Sequence, residues 1–257
     1  MAESSFVRVE RDGAVASVVL ARAEARNALN LAMCHGLTEA FEALSVDPDV
    51  RVVLMRSEGP VFCAGADLKE RTGRDEAWVL SRRQASFHAY ATIGRCAKPV
   101  VAVVQGPVVG SGGEIAMSCD FVVASTAATF RFPEPQWGTV GATQRLQRVI
   151  GRSRAKELLF TGRTMGVDEA YGLGLVARVV EPDALETTAR EIAAQIAAAP
   201  PLAMALTKEC VDLGSETDLE SGIRIELKAI ERNLAESDWR SGIADFSDSV
   251  GKKAAGE

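Results

Sequence analysis

Histidine is scarce in this chain. Its 257 residues hold two, His35 and His88, with no His-x-x-His spacing and no Cys/His cluster. That removes the usual ligand sets for zinc, and a zinc site is not expected. An excess of basic charge is missing as well. The count is 29 Lys+Arg against 35 Asp+Glu, a net charge of −6. Duplex binding normally needs a basic face, so nucleic acid is not an expected partner. No apolar run approaches a membrane span, since PVVAVV at 99–104 is only strand-sized. The opening MAESSFVRVE is acidic and lacks the apolar stretch of a secretory signal. The five cysteines (34, 63, 96, 119 and 210) are odd in number, scattered, and without a C-x-x-C pair. They read as reduced thiols, which places the protein in the cytoplasm. The phosphate-cradling G-x-x-x-x-G-K-[ST] does not occur either.

What is present is a chain with 47% hydrophobic residues, long enough for one well-buried domain with a small appendage. FVRVE (6–10), a turn at 11–13 and VASVVL (15–20) read as a hairpin. Residues 31–45 carry Leu31, Leu37, Phe41 and Leu44 at helical spacing behind Asn30, a natural N-cap. VRVVLM (50–55), PVVAVVQG (99–106) and FVVAS (121–125) read as buried strands, with helices between them, one of them over 75–95. This alternation favours an α/β fold with parallel pairing through crossover connections. From residue 181 the pattern turns helical, through 218–237 and on to DWRSGIADFSDSV (238–250), and ends in a loose tail, GKKAAGE. The expected division is a core over 1–180 and a helical region over 181–257.

Chemistry concentrates in three stretches. VVGSGGEIAMSCD (108–120) runs from a glycine-rich turn into an apolar helix with Glu114 in its first turn. Backbone N–H groups at such a turn are unpaired and open to close approach, so they can hold a developing oxyanion. An acid at a helix start is also stabilised by the helix dipole alone. The stretch fits neither G-x-G-x-x-G nor G-x-S-x-G. VFCAGADLKER (61–71) is a second small-residue loop, whose Ala64-Gly65-Ala66 can offer an N–H to the same oxygen. FRFPEPQWGTVGATQRL (130–146) presents Glu134 between two prolines.

These stretches, with AEARNALN (23–30) and GRSRAKELLFTGRTMGVDEAYGLGLVARVV (151–180), resemble the enoyl-CoA hydratase/isomerase, or crotonase, superfamily. The resemblance implies a spiral of ββα repeats with a helical C-terminal trimerisation region, often doubled to a hexamer. It implies an acyl-CoA thioester as substrate, with no metal or redox cofactor. Carried onto this chain, the oxyanion donors would be the N–H groups of Ala64 and Ser111, and Glu114 and Glu134 the acid/base pair. Arg22, Ala25, Arg26, Ala64, Gly65, Ala66, Asp67 and Leu68 would line the CoA groove, with Gly110 and Trp137 beside the acyl group.

The implied reaction adds water across a 2-enoyl thioester to give a 3-hydroxyacyl thioester. One carboxylate takes a proton from water attacking C3, and the other acid protonates C2. Glu114 is expected to activate the water and Glu134 to deliver the C2 proton. Ser111 stands where family hydratases usually carry glycine, and the segment from Glu134 to Thr143 is a few residues short, with bulky Trp137 in it. An isomerase, which can manage with one glutamate, is the near alternative. A non-catalytic acyl-CoA-binding protein and a serine hydrolase pairing Ser111 with His88 are alternatives of other classes. His35, His88 and Cys63 otherwise read as structural or surface residues, and Lys252-Lys253 as solvated charge.

Overall fold

The computed structural model describes residues 6–240. The tail, Lys252-Lys253 and most of the helix expected over 238–250 lie outside them. The described residues form two compact units, divided after Ala198.

The first unit is built on a sheet. β1 (Val7–Asp12) and β2 (Val15–Leu20) form an antiparallel hairpin with Asp12 opposite Val15. Gly13 turns that corner at φ +57°, which a residue with a Cβ adopts at a cost. α1 (Leu31–Val46) follows, and Asn30 Oδ1 accepts the Met33 N–H at 2.8 Å, as the cap position predicts. β3 (Val52–Ser57), α2 (Glu76–Gly94) and β4 (Val100–Val104) continue the alternation. Then come the short β5 (Val108–Val109) and α3 (Ser111–Ala116), and β6 (Phe121–Ser125). β7 (Thr129–Arg131), α4 (Thr143–Ile150), α5 (Arg152–Thr161), β8 (Thr164–Gly166), α6 (Val167–Gly172), β9 (Arg178–Val180) and α7 (Leu185–Ala198) complete the unit.

The main sheet has the order β1-β2-β3-β4-β6-β9, parallel from β2 onward, as the strand–helix alternation requires. Successive strand residues face opposite sides. Val53, Met55, Val100, Ala102, Val104, Val122 and Ala124 belong to the larger core, with α1 and α2. Val52, Leu54, Val101, Val103 and Val123 meet Leu185, Ala189, Ile192 and Ala193 of α7. Helix α7 is therefore part of the sheet unit, and the division expected after residue 180 falls after 198 instead. Its apolar positions at i, i+4, i+7 and i+8 make a stripe that needs a sheet to cover it. β5, β7 and β8 form a second, three-stranded sheet that sequence patterning did not reveal. Runs of two or three residues are too short to show a period.

Among the described residues the second unit is a pair of helices, α8 (Pro201–Ser215) and α9 (Leu219–Glu236), with Asp218 capping α9 by accepting the Ser221 N–H. Pro at the first position of α8 costs nothing, because that N–H has no helical acceptor.

Candidate active site

Three chain segments converge at the end of β5. The Val109 N–H donates to Cys63 O at 2.9 Å, which lays the 63–66 loop beside the glycine turn. Gly112 makes that contact possible, since a Cβ there would lie 2.7 Å from Cys63 O. Gly110, at φ +48°, performs the same service for the third segment. A Cβ on Gly110 would stand 2.5 Å from Glu134 Oε1. The glycines are thus positions where other backbone or a carboxyl comes in.

Among the described residues, no acceptor takes the N–H of Ser111 or of Ala66. Ala64, expected as the second oxyanion donor, is different: its N–H donates to Arg26 O at 3.0 Å. Leu29 N–H to Gly65 O (2.7 Å) and Asp67 N–H to Leu29 O (2.9 Å) alternate around Ala66 and turn its N–H away from that ladder. Ala66, two residues beyond the expected Ala64, carries an amide without an acceptor among the described residues. Ser111 lies outside the positive-φ region, which Gly110 takes, so a serine sits at this position without backbone strain.

Both glutamates are buried, Glu114 at 5% and Glu134 at 8% exposure. Their settings differ. Arg145 Nη1 donates to Glu114 Oε2 at 3.0 Å, and its guanidinium lies 5.5 Å from the Tyr90 ring centre. Glu134 Oε2 is buried with no hydrogen-bond partner. Burial pushes the Glu134 carboxyl above the usual carboxylate range and the charge of Glu114 adds to the rise, while its own backbone N–H and Arg83 oppose it. Tyr90, fully buried, lies beside Ser111 but its hydroxyl completes no hydrogen bond of standard geometry, and burial pushes it upward too. Arg145 and Tyr90 were not expected from sequence. Nothing in TQRL announces that its arginine reaches a glutamate 31 positions earlier.

The residues expected to line a CoA groove divide. Arg22 Nη1 donates to Asp67 Oδ2 at 2.6 Å and to Ala28 O at 2.9 Å, and Asp67 is buried, so this pair braces one loop on the other. Buried Asn27 adds bonds to Glu58 O and Val61 O. Ala25 and Ala66 are half-buried, and Gly65 is buried. Arg26, Leu68 and Trp137 are exposed, Trp137 in the turn after Glu134. His88 is an exposed residue with Nε2 4.0 Å from Glu42, and His35 is exposed, so no histidine meets buried Ser111. Cys63 is buried and its thiol pushed up to about 12, chiefly by burial, which makes it an inert core residue. Among the described residues no group of three His, Cys, Asp or Glu gathers as a metal site would require.

A parallel-sheet core thus carries two buried carboxyls and unpaired amides gathered at a glycine turn. The comparisons place it further. The profile of the family described as enoyl-CoA hydratase/isomerase matches residues 10–252. The short-chain-enoyl-CoA hydratase of Clostridium acetobutylicum is 34% identical over 251 residues, covering 95% of each chain. An enoyl-CoA isomerase/hydratase of Mycosarcoma maydis is 33% identical, covering 96% of each. The crystal structure of an enoyl-CoA hydratase from Bacillus anthracis superposes with a TM-score of 0.92 at 34% identity, over 95% of this chain and 96% of that one. The chain belongs to the enoyl-CoA hydratase/isomerase family and has the crotonase fold.

Proposed function

We propose that the protein hydrates a 2-enoyl-CoA thioester to the 3-hydroxyacyl-CoA. The observation that carries this reading is the meeting of Glu114 and Glu134 at the Gly110 turn, beside the free amides of Ala66 and Ser111. Those two N–H groups would hold the thioester oxygen as it takes enolate charge, a kind of contact worth about 2.7–4 kcal/mol of barrier per donor. Glu134, whose burial favours its protonated form, is the acid for C2. Glu114, held by Arg145 through one oxygen, presents the other to the attacking water as base. Two acids in different surroundings can share such work.

The test is the loss of the enoyl thioester chromophore, followed with Glu114→Gln and Glu134→Gln. Each change should lower kcat by about 10²–10⁴-fold while CoA affinity stays near its starting value. The double variant should be little worse than the poorer single one, because the two act together. Glu134→Gln with undiminished turnover would sink the hydratase reading. One observation favours the second reading, isomerisation of a 3-enoyl-CoA: Arg145 already occupies Glu114, leaving Glu134 as the carboxyl without a partner. Shift of a 3-enoyl-CoA double bond without detectable hydration would decide for it. Neither reaction needs a metal, so EDTA should leave the rate unchanged, and loss restored by zinc or magnesium would overturn both schemes.

A further inference from the structure

Three arginines, Arg71, Arg82 and Arg83, lie close to one another on α2 and the segment ahead of it. Arg82 is buried, 1% exposed, in the middle of α2. Its Nε reaches Glu70 Oε2 at 3.3 Å, its Nη2 donates to Leu29 O, and its Nη1 is buried with no partner. Half-buried Arg71 has its Nε buried and unpartnered as well. Arg83, the next residue on α2, donates from Nη2 to Val140 O at 2.5 Å and packs on the Phe87 ring. Burial lowers the Arg71 guanidinium's proton affinity, and the charges of Arg82 and Arg83 lower it further against the single opposing charge of Glu70. Unpaired buried cationic donors are costly, and each calls for a partner.

Arg83 brings this group up to Glu134. A Cβ on Gly141 would lie 2.9 Å from Glu134 Cγ and 3.0 Å from Arg83 Nη2, so the two side chains converge on one glycine. Arg83, Phe87, Val140 and Gly141 line a hollow of about 280 Å³ together with Glu114 and Arg145. A hollow that opens beside Glu114 and is walled by arginine and aromatic ring offers room for a short acyl tail with a charged end.

We propose that this hollow receives the far end of the acyl group and that this end carries a carboxylate, held by Arg83 with Arg71 and Arg82 supplying the charge behind it. The substrate class is then a short 2-enoyl-CoA with a terminal carboxylate, an inference that rests on the thioester reading above. Guanidinium is suited to that recognition because its fork matches a carboxylate's two oxygens. Arg145, engaged with Glu114, is not needed for it.

Unreactive saturated thioesters separate this proposal from the catalytic reading, because binding is measured without turnover. Titration calorimetry would compare glutaryl-CoA, pentanoyl-CoA and free CoA. Glutaryl-CoA should bind the wild-type protein about 10- to 100-fold tighter than pentanoyl-CoA, as charge-assisted hydrogen bonds allow. Arg83→Met should collapse that ratio toward one, and Arg71→Met should reduce it, giving a second reading if either variant fails to fold. Equal affinities of the two acyl-CoAs for the wild type would overturn the proposal. So would an Arg83→Met variant that weakens free CoA as much as glutaryl-CoA, since the arginines would then be serving CoA phosphates. Failure of the hydratase reading appears elsewhere, as absent turnover with the binding preference intact.

Discussion

At the scale of single residues, Arg145 and Glu134 carry the most information. Arg145 holds Glu114 through a 3.0 Å contact and lies near the Tyr90 ring, so on the proposed hydratase reading it positions the base. Arg145→Met should lower kcat by about 10²-fold with little change in KM, the cost typical of a misplaced catalytic group. Arg145→Lys, which keeps the charge and a donor, should restore part of that loss. Glu134 adds a stability argument. Its folded proton affinity is raised above that of the unfolded chain, chiefly by burial. Between the unfolded carboxylate pKa and the raised folded one, the native state holds a proton that the unfolded state has lost, and stability falls as pH rises through that window. Glu134→Gln should therefore raise Tm relative to wild type at pH 7–8, and the advantage should vanish near pH 4, where both states are protonated. A constant difference across that range, followed by circular dichroism, would show that the carboxyl is not held in the way the burial implies.

Elements explain why the site could be read only in part. The strands and helices of the sheet were legible because their periods are long enough to count: FVVAS is β6 residue for residue, and Asn30 caps α1 as its position suggested. The glycine turn and both glutamates were legible because chemistry-bearing residues there are contiguous or flanked by proline. The identity of the loop donor was not. Ala64 and Ala66 look alike in sequence, and only the bond from Ala64 N–H to Arg26 O separates them. The arginines were hidden for the same reason, since Arg145 and Arg83 reach the site through tertiary packing of α4 and α2. The packing of the loop on the turn makes its own prediction. Gly112→Ala would drive a methyl to within 2.7 Å of Cys63 O and 2.8 Å of its Cβ, forcing the two amide-bearing segments apart. Turnover should fall by about 10²–10³-fold, the loss of one oxyanion donor, with a lower Tm besides. Wild-type turnover in that variant would mean that Ala66 and Ser111 do not act on one oxygen.

The whole molecule leaves one surface to account for. In the second unit, Leu206 is buried, whereas Val211, Leu213, Leu219, Ile223, Leu227, Ile230 and Leu234 are each more than 45% exposed. A 570 Å³ hollow between α8 and α9 is walled by several of these side chains. Ile223, Leu227, Ile230 and Leu234 follow one another at helical spacing, so α9 presents a continuous apolar stripe rather than scattered residues. Contiguous apolar patches of that kind are rare on monomers and mark contact surfaces. A second copy of the chain is the partner the family resemblance implies, with three or six subunits in the assembly. Light scattering at micromolar concentration should give three or six times the chain mass of 27.3 kDa. Ile223→Glu combined with Ile230→Glu should shift the mass toward a single chain while the far-ultraviolet circular dichroism of the sheet unit persists. A 27.3 kDa particle from the unaltered protein would refute the assembly, and the exposed stripe on α9 would then need a different occupant.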